Sequence, residues 1–534
     1  MVWRKRSRKG MDTGPEPRGL SNLSLFRIIA ITLTFVLSVV TGAYAIDQAA
    51  SNSESDAVVH PTGALSASET DPATASETPK VVLSWETGSG KSYIIPALEV
   101  PGFVILVNTY DRFVHPNEVS GGKKVYNTTP STFWKNVTRG HWGFDQDNFK
   151  MNQLLHPYAG ANYYGFARSA GLSYWESLGY SLAGSFLWET AGETTPPSVN
   201  DMVASGIGGS LFGETLFRMA SLLLEGGGEK PGCWREVGAA LLSPPTGFNR
   251  LVFGDRFKPV FPSHNPAVFY RLGIGATLNV HLSSRGTPTT VEHNQGMADF
   301  ELSYGLPGKP GYNYKRPFDY FHFELSSLSS AKNPFQNVLL HGLLIGKKYE
   351  GPSYRGIWGL YGSYDYISPH FFRVSTTAAS VGTTLQWWLS EKIAARGIAL
   401  GGIGYGAGGT TAGSGERDYH YGLTPQALLA LRFIFGDIAM FEATGREYYV
   451  SSLAGTEKGR ENIMRGTLSI MARVYKHHAL GIQYAVSRRD ASYPDMPKIG
   501  QWSGTFSLVY TLLSDKSFGA VEWRAGPARD QDRR

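Results

Sequence analysis

The chain has a single cysteine, Cys233, among its 534 residues. An internal disulfide framework is therefore excluded, and stability has to come from packing and strand pairing. The signatures of common hydrolytic sites are also missing: there is no G-x-S-x-G elbow, no H-E-x-x-H helix and no Cys/His cluster. The sequence thus predicts neither a metal site nor a cofactor.

Charged residues are scarce at 18%, and the formal net charge of +6 is concentrated at the N-terminus. The first 45 residues contain seven Lys or Arg and two Asp or Glu, so the remainder carries 43 basic against 42 acidic residues. No basic surface for nucleic acid is expected from such a balance. Nucleic acid is therefore excluded as a partner.

The first 45 residues have the three parts of a secretory signal. A basic segment ends at Arg27, an apolar run covers Ile28–Val40, and the small-residue site Ala43-Tyr44-Ala45 follows. Thirteen apolar residues are fewer than the ~20 that a spanning helix needs, which argues against a membrane anchor. We predict a signal peptide over residues 1–45, cleaved after Ala45, and hence export.

Composition divides the rest of the chain into four parts. Residues 46–80 are rich in Ser, Thr and Ala with almost no large apolar side chains, which predicts a disordered linker. A helical domain is predicted over residues 81–255, a β-barrel over 265–513 and a polar tail over 514–534. Within the helical domain, the apolar stretch Ser92–Arg112 is interrupted by Pro96 and Pro101. We expect it to pack against the other helices rather than to span a membrane.

Residues 265–513 alternate between apolar and polar side chains, as in strands with one buried face. In Arg271–Leu282 every second residue from Leu272 is apolar, and the same period recurs around Leu429, Leu468 and Leu480. About twelve such strands, many with Tyr, Trp or Phe at their ends, fit an antiparallel transmembrane β-barrel with aromatic girdles. A soluble β-sandwich is the alternative. Export and strand length favour the barrel, which places the protein in the bacterial outer membrane with lipid as its partner.

The stretch from His156 to Arg218 contains the strings HPYAGANYYGFARSAGLSYWES, GSFLWETAGE, PPSVND and GETLFR. This order, with flanking IPALEVPGFVILVNTYDR and TGFNRLVFGD, resembles a bacterial family of predicted outer-membrane proteins that is described as a domain of unknown function. The resemblance covers roughly residues 92–255. It implies an exported, membrane-associated protein and supplies no activity or catalytic residue.

Four polar residues of this block are candidates for binding, and each has a structural explanation beside the functional one. His156 precedes Pro157 at a helix start and has no second ligand at helical spacing. Tyr164 and Arg168 are four residues apart, as in a cation–π pair on one helix face. Glu214 and Arg218 have the spacing and order of an intrahelical ion pair.

Two short motifs predict helix starts, and one strip predicts a helix contact. Ser173 with Glu176, and Ser198 with Asp201, have the spacing of capping boxes. The repeat Ser205, Gly209, Gly213 forms a strip of small residues that lets another helix approach closely. Its expected partner is the helix that carries Gly179 and Ala183 at the same spacing.

Glu189 and Glu193 have no such explanation. Glu189 is placed in the last turn of a helix over Ser173–Ala191, where the helix dipole disfavours a carboxylate, and Phe186-Leu187-Trp188 before it predicts partial burial. With Arg168 and Arg218 as available counter-charges, two carboxylates with shifted pKa values can act as general acid and base, or can hold a divalent ion. Glu189, Glu193 and Arg168 are therefore the catalytic candidates. A buried Glu–Arg network that holds three helices together explains the same residues, and we favour it slightly.

Two hypotheses follow. In the first, an outer-membrane barrel carries a helical domain that plugs the lumen or lies in the periplasm, with a role in envelope structure or in the handling of envelope lipid or glycan. In the second, the protein is an envelope hydrolase acting on lipid or glycan through its Glu pair.

Overall fold

The computed structural model describes residues 81–524, apart from positions 121, 146, 285–286, 292–294, 330–334, 370, 411–416, 456–458 and 495–496. The predicted signal peptide, the predicted linker and residues 525–534 lie outside the described residues.

Twelve long antiparallel strands form a closed barrel, which confirms the predicted fold and strand number. They are β1 Val268–Ser284, β2 Gln295–Tyr304, β3 Phe321–Leu328, β4 Phe335–Glu350, β5 Tyr354–Ile367, β6 Phe372–Trp388, β7 Ile393–Thr410, β8 Tyr419–Phe435, β9 Ala439–Val450, β10 Arg460–Tyr475, β11 His478–Ser492 and β12 Ile499–Leu513. Each strand pairs with its neighbours in sequence, and β12 pairs with β1, with Tyr510 opposite Ile274. Two short strands extend the wall: Thr287–Val291 pairs with β1, and Ala454–Gly455 pairs with β8. Closure leaves no unpaired edge, as a barrel in lipid requires.

The two ends of the barrel differ in their connections. At the end where β1 begins and β12 ends, here called the terminal end, the short turns 351–353, 389–392, 436–438 and 476–477 join successive strands. The segment 305–320 is the longer connection at that end. The opposite end, here called the loop end, carries connections such as 451–459 and 493–498.

Alternate residues of each strand face the lumen. A lumenal cavity of about 130 Å³ is lined by polar side chains from strands all round the barrel, including Asp299, Glu301, His322, His341 and Arg432. The residues between them face outward. On β10, β11 and β12 these outward residues are apolar and exposed, as in Leu468, Ile470, Leu480, Ile482, Leu508 and Tyr510. In the alternating pattern predicted from the sequence, the apolar residues therefore face outward and the polar residues face the lumen.

In the described part of the chain, eight α-helices precede the barrel, and some of them are joined by π-helical turns. They are α1 Ile94–Val114, α2 Pro130–Arg139, α3 His156–Ser169, α4 Tyr174–Leu187, α5 Val199–Asp201, α6 Gly209–Glu225, α7 Cys233–Leu242 and α8 Pro244–Val252. The π turns are Met151–Leu155, Trp188–Gly192 and Met202–Gly208. A two-residue hairpin, Val119–Ser120 with Lys123–Lys124, follows α1. Prolines begin α2 and α8 and occupy the first turn of α3, where the missing N–H is unneeded.

The helical domain packs on the outer wall of the barrel. Helix α6 lies against β5, since a Cβ on outward-facing Gly362 would touch Leu211, and Phe212 stacks on Tyr364 at 5.9 Å between ring centroids. One apolar core joins the helices to outward-facing residues of β2 to β5, β7 and β8, namely Phe300, Leu302, Tyr304, Phe321, Phe323, Leu325, Val338, Leu340, Tyr364, Tyr366, Ala407, Tyr419 and Tyr421. Of the two positions considered for this domain, in the lumen or in the periplasm, the first is wrong, because the strand faces that the domain covers point away from the lumen.

The helical domain reaches from one end of the barrel to the other. At the terminal end, Arg218 of α6 forms an ion pair with Asp319 of segment 305–320, at 3.2 Å. At the loop end, Asp147 forms an ion pair with Arg417, at 3.3 Å. The domain thus flanks the full height of the wall.

Helix α1 packs against the other helices as predicted, with Val100 and Val104 in one cluster with Tyr163, but it is not interrupted at its prolines. Pro96 falls in its first turn and Pro101 inside it, yet the helix is continuous over 21 residues. In the described chain it is the helix whose length and apolarity suffice to cross a membrane. Its buried positions include Val100, Val104 and Asn108, which face the rest of the domain, whereas Leu98 and Phe113 on the other face are 70% and 80% exposed.

The segment after β12 closes the lumen at the terminal end. The Val521 backbone exchanges two hydrogen bonds with the side chain of Gln386, at 2.7 and 2.8 Å, and accepts a third from the Trp388 indole at 3.1 Å. Phe518 is fully buried among inward-facing residues that include Phe269 and Tyr361. The described part of the predicted polar tail therefore plugs the terminal end of the barrel, because its apolar residues pack against apolar side chains that face the lumen there.

Candidate functional site

Glu214 is the centre of a buried network that joins two helices, α3 and α6, to the barrel. Its carboxylate is fully buried and accepts hydrogen bonds from Tyr164 Oη at 2.7 Å, from Arg168 Nε at 2.8 Å and from Arg218 Nε at 2.7 Å. Arg218 continues to Asp319 on the barrel side. The predicted pair Glu214–Arg218 is confirmed, and both guanidinium groups have a carboxylate partner.

Arg168 does not stack on Tyr164, contrary to the prediction. Its guanidinium lies over the rings of Phe217 and Phe261, each 4.7 Å from the ring centroid. Tyr164 and Arg168 meet only through Glu214. The ring of Phe217 on α6 thus takes the place under the Arg168 guanidinium that helical spacing had suggested for Tyr164 on α3.

Glu189 and Glu193 lie away from this network. Glu189 occupies the π turn after α4 and is buried, and its Oε2 accepts the backbone N–H of Ser198 at 2.7 Å. Glu193 accepts from the Trp188 indole at 3.1 Å and from Thr195 Oγ1 at 2.8 Å. The expectation that Arg168 or Arg218 faces this pair is wrong, because Glu214 binds both.

Other carboxylates surround Glu189 and Glu193. Burial raises the pKa of Asp145 to about 7, and the negative charge of Asp201 adds to the rise. Burial likewise raises the pKa of Glu193 to about 7, while His156 opposes the rise. We call Asp145, Glu189, Glu193 and Asp201 the acidic cluster. At neutral pH it holds protons that exposed carboxylates would have lost.

His156 stands beside this acidic cluster, with its Nδ1 3.3 Å from Ser205 Oγ. That contact fits the structural role expected for it. Among the described residues, no group of three or more His, Cys, Asp or Glu side chains is arranged to hold a metal ion.

The acidic cluster is tied to the barrel at the loop end. Asn200 accepts the backbone N–H of Asp145 at 2.8 Å and donates to Tyr421 Oη at 2.8 Å. Asn152 donates to the hydroxyls of Tyr419 and Tyr421, both at 3.0 Å. The two tyrosines project outward from β8, so these bonds attach the helical domain to the barrel wall.

The two predicted capping motifs form to different extents. Ser173 and Glu176 form the predicted capping box of α4. Ser198 accepts from the backbone of Asp201, whereas the Asp201 carboxylate accepts from the Asn200 side chain. The second motif is thus a one-sided cap.

The strip of small residues contacts α3 rather than the predicted Gly179. A Cβ on Gly209 would lie 2.6 Å from the Cα of Gly160, and one on Gly213 would lie 3.0 Å from the carbonyl oxygen of Ala161. A Cβ on Gly179 would meet nothing within 4 Å. The predicted partner helix α4 contacts the strip at Ser205, whose carbonyl accepts from Ser181 Oγ at 3.0 Å, but it does so through a different face from that of Gly179.

The lumen contains a third charged group, which the sequence interpretation missed. Arg432 on β8 donates to both carboxylate oxygens of Glu301 on β2, at 2.7 and 3.0 Å. Arg271 forms ion pairs with Glu301 and Glu442, and Glu442 also pairs with Arg432.

Further ion pairs and apolar side chains lie along the lumen. Toward the loop end, Arg446 pairs with Asp365 at 3.6 Å. An apolar layer lies beyond them, formed by Leu339, Ile367, Phe372, Val374, Tyr448, Val450 and Ile463. Ion pairs and apolar side chains therefore obstruct the lumen along its length. Single charged residues among lumen-facing positions were the only signal for this in the sequence.

These features define the chain as a twelve-stranded antiparallel β-barrel with a helical domain on its outer wall. Residues 141–245 match a family described as "Domain of unknown function (DUF3943)", which confirms the resemblance read from the sequence over that region. No curated protein sequence matches the chain.

Solved structures similar to the chain are outer-membrane channels. The NanC porin shares 10% identity, with 46% of this chain and 99% of the porin covered and a TM-score of 0.24. The toluene transporter TodX of P. putida shares 8% identity, covering 48% of this chain and 92% of the transporter at a TM-score of 0.20. The outer-membrane channel DcaP of Acinetobacter baumannii shares 8% identity, covering 47% and 96% at a TM-score of 0.20.

Proposed function

We propose that the protein is an exported bacterial outer-membrane barrel that acts in the lipid phase, in envelope structure or in the handling of envelope lipid. The observation that carries the proposal is the position of the helical domain on the outward face of the barrel. In a membrane barrel that face meets the acyl chains, so a domain attached there is itself in contact with lipid.

The outer surface of the helical domain supports this placement. Helix α1 has 21 residues, a length of about 31 Å at 1.5 Å per residue, close to the ~30 Å hydrocarbon thickness. Ile94, Leu98, Ile105 and Leu106 are all at least 65% exposed on it. Apolar exposure of this extent is costly in water and favourable against acyl chains.

The direction of α1 also fits. Near its start, the N–H of Ser92 bonds to the carbonyl of Ala170 after α3, toward the terminal end. Toward its end, Asn108 donates to Gly192, beside the acidic cluster at the loop end. Helix α1 thus runs along the height of the barrel.

A solute channel is the second candidate, favoured by the polar lumen. The terminal plug, the Arg432–Glu301 contact and the apolar layer at the loop end weigh against free diffusion through it. A steady conductance of the purified protein in planar bilayers would favour the channel over the lipid-phase role.

Spin labels test the proposal directly. With Cys233 replaced by Ser, labels at Leu98 and Ile105 are expected to collide with oxygen and to be shielded from a water-soluble nickel complex. A label at Leu468 on the barrel wall gives the lipid reference, and one at exposed Glu118 gives the aqueous reference. Labels at Leu98 and Ile105 that behave like the one at Glu118 would overturn the proposal. Mass profiles of envelope lipids from cells with and without the protein then separate lipid handling from a purely structural role.

A further inference from the structure

Two arginines in the terminal half of the lumen each have a buried nitrogen without a hydrogen-bond partner among the described residues. These nitrogens are Nη1 of Arg396 and Nη1 of Arg432. The two residues are at most 8% exposed. A buried donor without an acceptor is costly, and a charged one more so. What is missing at this place is an acceptor.

The two arginines lie side by side on the barrel wall. Arg396 on β7 pairs in register with Arg432 on β8, so their Cβ atoms are about 5 Å apart on the same face. The Arg432 guanidinium lies over Phe269, 5.4 Å from the ring centroid, and the plug residue Gly519 lies against both that ring and Arg396 Nη1. Both arginines line the lumenal cavity of about 130 Å³.

The two arginines differ in how many carboxylate partners they have. Arg432 has Glu301 and Glu442 within ion-pairing distance. Among the described residues, Arg396 has no carboxylate within that distance, and its Nη2 reaches only Ser303 Oγ at 3.5 Å. Like charges directly opposite one another on a sheet destabilise it unless something neutralises them.

We propose that Arg396 and Arg432 bind a small oxyanion of the phosphate or carboxylate class in the lumen, beneath the C-terminal plug. Guanidinium groups suit such anions because their planar N–H forks match two oxygens at once. The cavity has room for several water molecules or for a small anion. The site is separate from the outer-wall surface on which the lipid-phase role rests.

Inorganic phosphate is the probe. The full-length mature protein is folded into detergent micelles in phosphate or in chloride at equal ionic strength, so that the anion has access before the lumen closes. Phosphate is expected to raise the midpoint of thermal unfolding in a saturable manner. Arg396→Met is expected to weaken the apparent affinity at least tenfold, while Arg465→Met, a change in the same cavity, leaves it within about twofold.

Equal midpoints in phosphate and chloride would overturn the proposal, as would an Arg396→Met protein that responds like the wild type. If Arg396→Met does not fold, Arg396→Lys preserves the charge and removes the fork, and an unchanged phosphate affinity in that variant would overturn it equally. Crystals grown in selenate provide an independent readout. The expected anomalous peak lies between Arg396 and Arg432, and a peak elsewhere in the lumen contradicts the assignment.

Discussion

Arg432 on β8 and Glu301 on β2 meet across the lumen, with Arg432 Nη2 2.7 Å from Glu301 Oε1. Five strands lie between β2 and β8 around the barrel in either direction, so the pair joins opposite walls. Both side chains are at most 5% exposed. The ion pair therefore connects opposite walls of the barrel, and its two side chains also obstruct the lumen.

Breaking this pair is expected to destabilise the barrel. Glu301→Gln or Arg432→Met alone leaves an uncompensated buried charge, and each should lower the free energy of unfolding by about 3 kcal/mol. The double variant should lose less than the sum of the two, because the charges share one interaction. Urea unfolding in lipid vesicles, followed by tryptophan fluorescence, measures all three.

Arg488→Met provides the control for that series. Arg488 forms its ion pair with Asp490 at the surface, where both side chains are more than 40% exposed, so its loss should cost under about 1 kcal/mol. Equal losses from Arg488→Met and Arg432→Met would contradict a special role for the lumenal pair.

Replacing Glu214 is expected to loosen the helical domain while the barrel persists. Glu214→Gln leaves Arg168 and Arg218 buried without their shared carboxylate, at a cost of about 3 kcal/mol or more. Glu189→Gln should be far milder, because the amide oxygen of glutamine can still accept the N–H of Ser198. Protease sensitivity of residues 81–255 reports on the helices, and heat-modifiable gel mobility reports on the barrel. Loss of the mobility shift in Glu214→Gln would show that the barrel needs the helices to fold.

The sequence indicated these clusters only in part, for a physical reason. Period-two alternation and helical spacing are local signals, and they predicted the twelve strands, the Ser173 cap and the Glu214–Arg218 pair. The choice of Glu214 over Glu189 as partner of Arg168 depends on how α3, α4 and α6 pack, which spacing along one helix does not encode. The outer-wall position of the domain was hidden for a similar reason. Outward residues of β2 and β3, such as Phe300 and Phe323, are apolar whether they face lipid or a helix.

Stability of the helical domain is expected to fall as pH rises from about 4.5 to about 7. The carboxyls of Asp145 and Glu193 have folded-state pKa values near 7, above the values of about 4 that they take when unfolded. In that interval the folded state binds more protons than the unfolded state, so raising the pH favours unfolding. Below about pH 4 the contribution is fully present, and above about pH 7 it is lost.

Limited proteolysis of residues 81–255 at pH 5 and pH 8 measures the effect. Cleavage should be faster at pH 8 in the wild type, and the difference should shrink in Asp145→Asn/Glu193→Gln. A double variant with an unchanged pH dependence would assign the effect to other groups.

The contact between α3 and the start of α6 gives the sharpest test of packing in the helical domain. A Cβ on Gly209 would meet the backbone of Gly160 at 2.6 Å, and backbone atoms cannot rotate away as a flexible side chain can. Gly209→Ala is therefore expected to separate the two helices and to cost about 1–3 kcal/mol, despite the better helix propensity of alanine. Gly179→Ala makes the same chemical change in α4, where the added methyl group meets nothing within 4 Å. It should be neutral or stabilise the domain by up to about 1 kcal/mol. Thermal unfolding of the two variants side by side separates packing from propensity. If both variants are stabilised equally, the helices are not in the close contact described, and Gly209 is not needed for it.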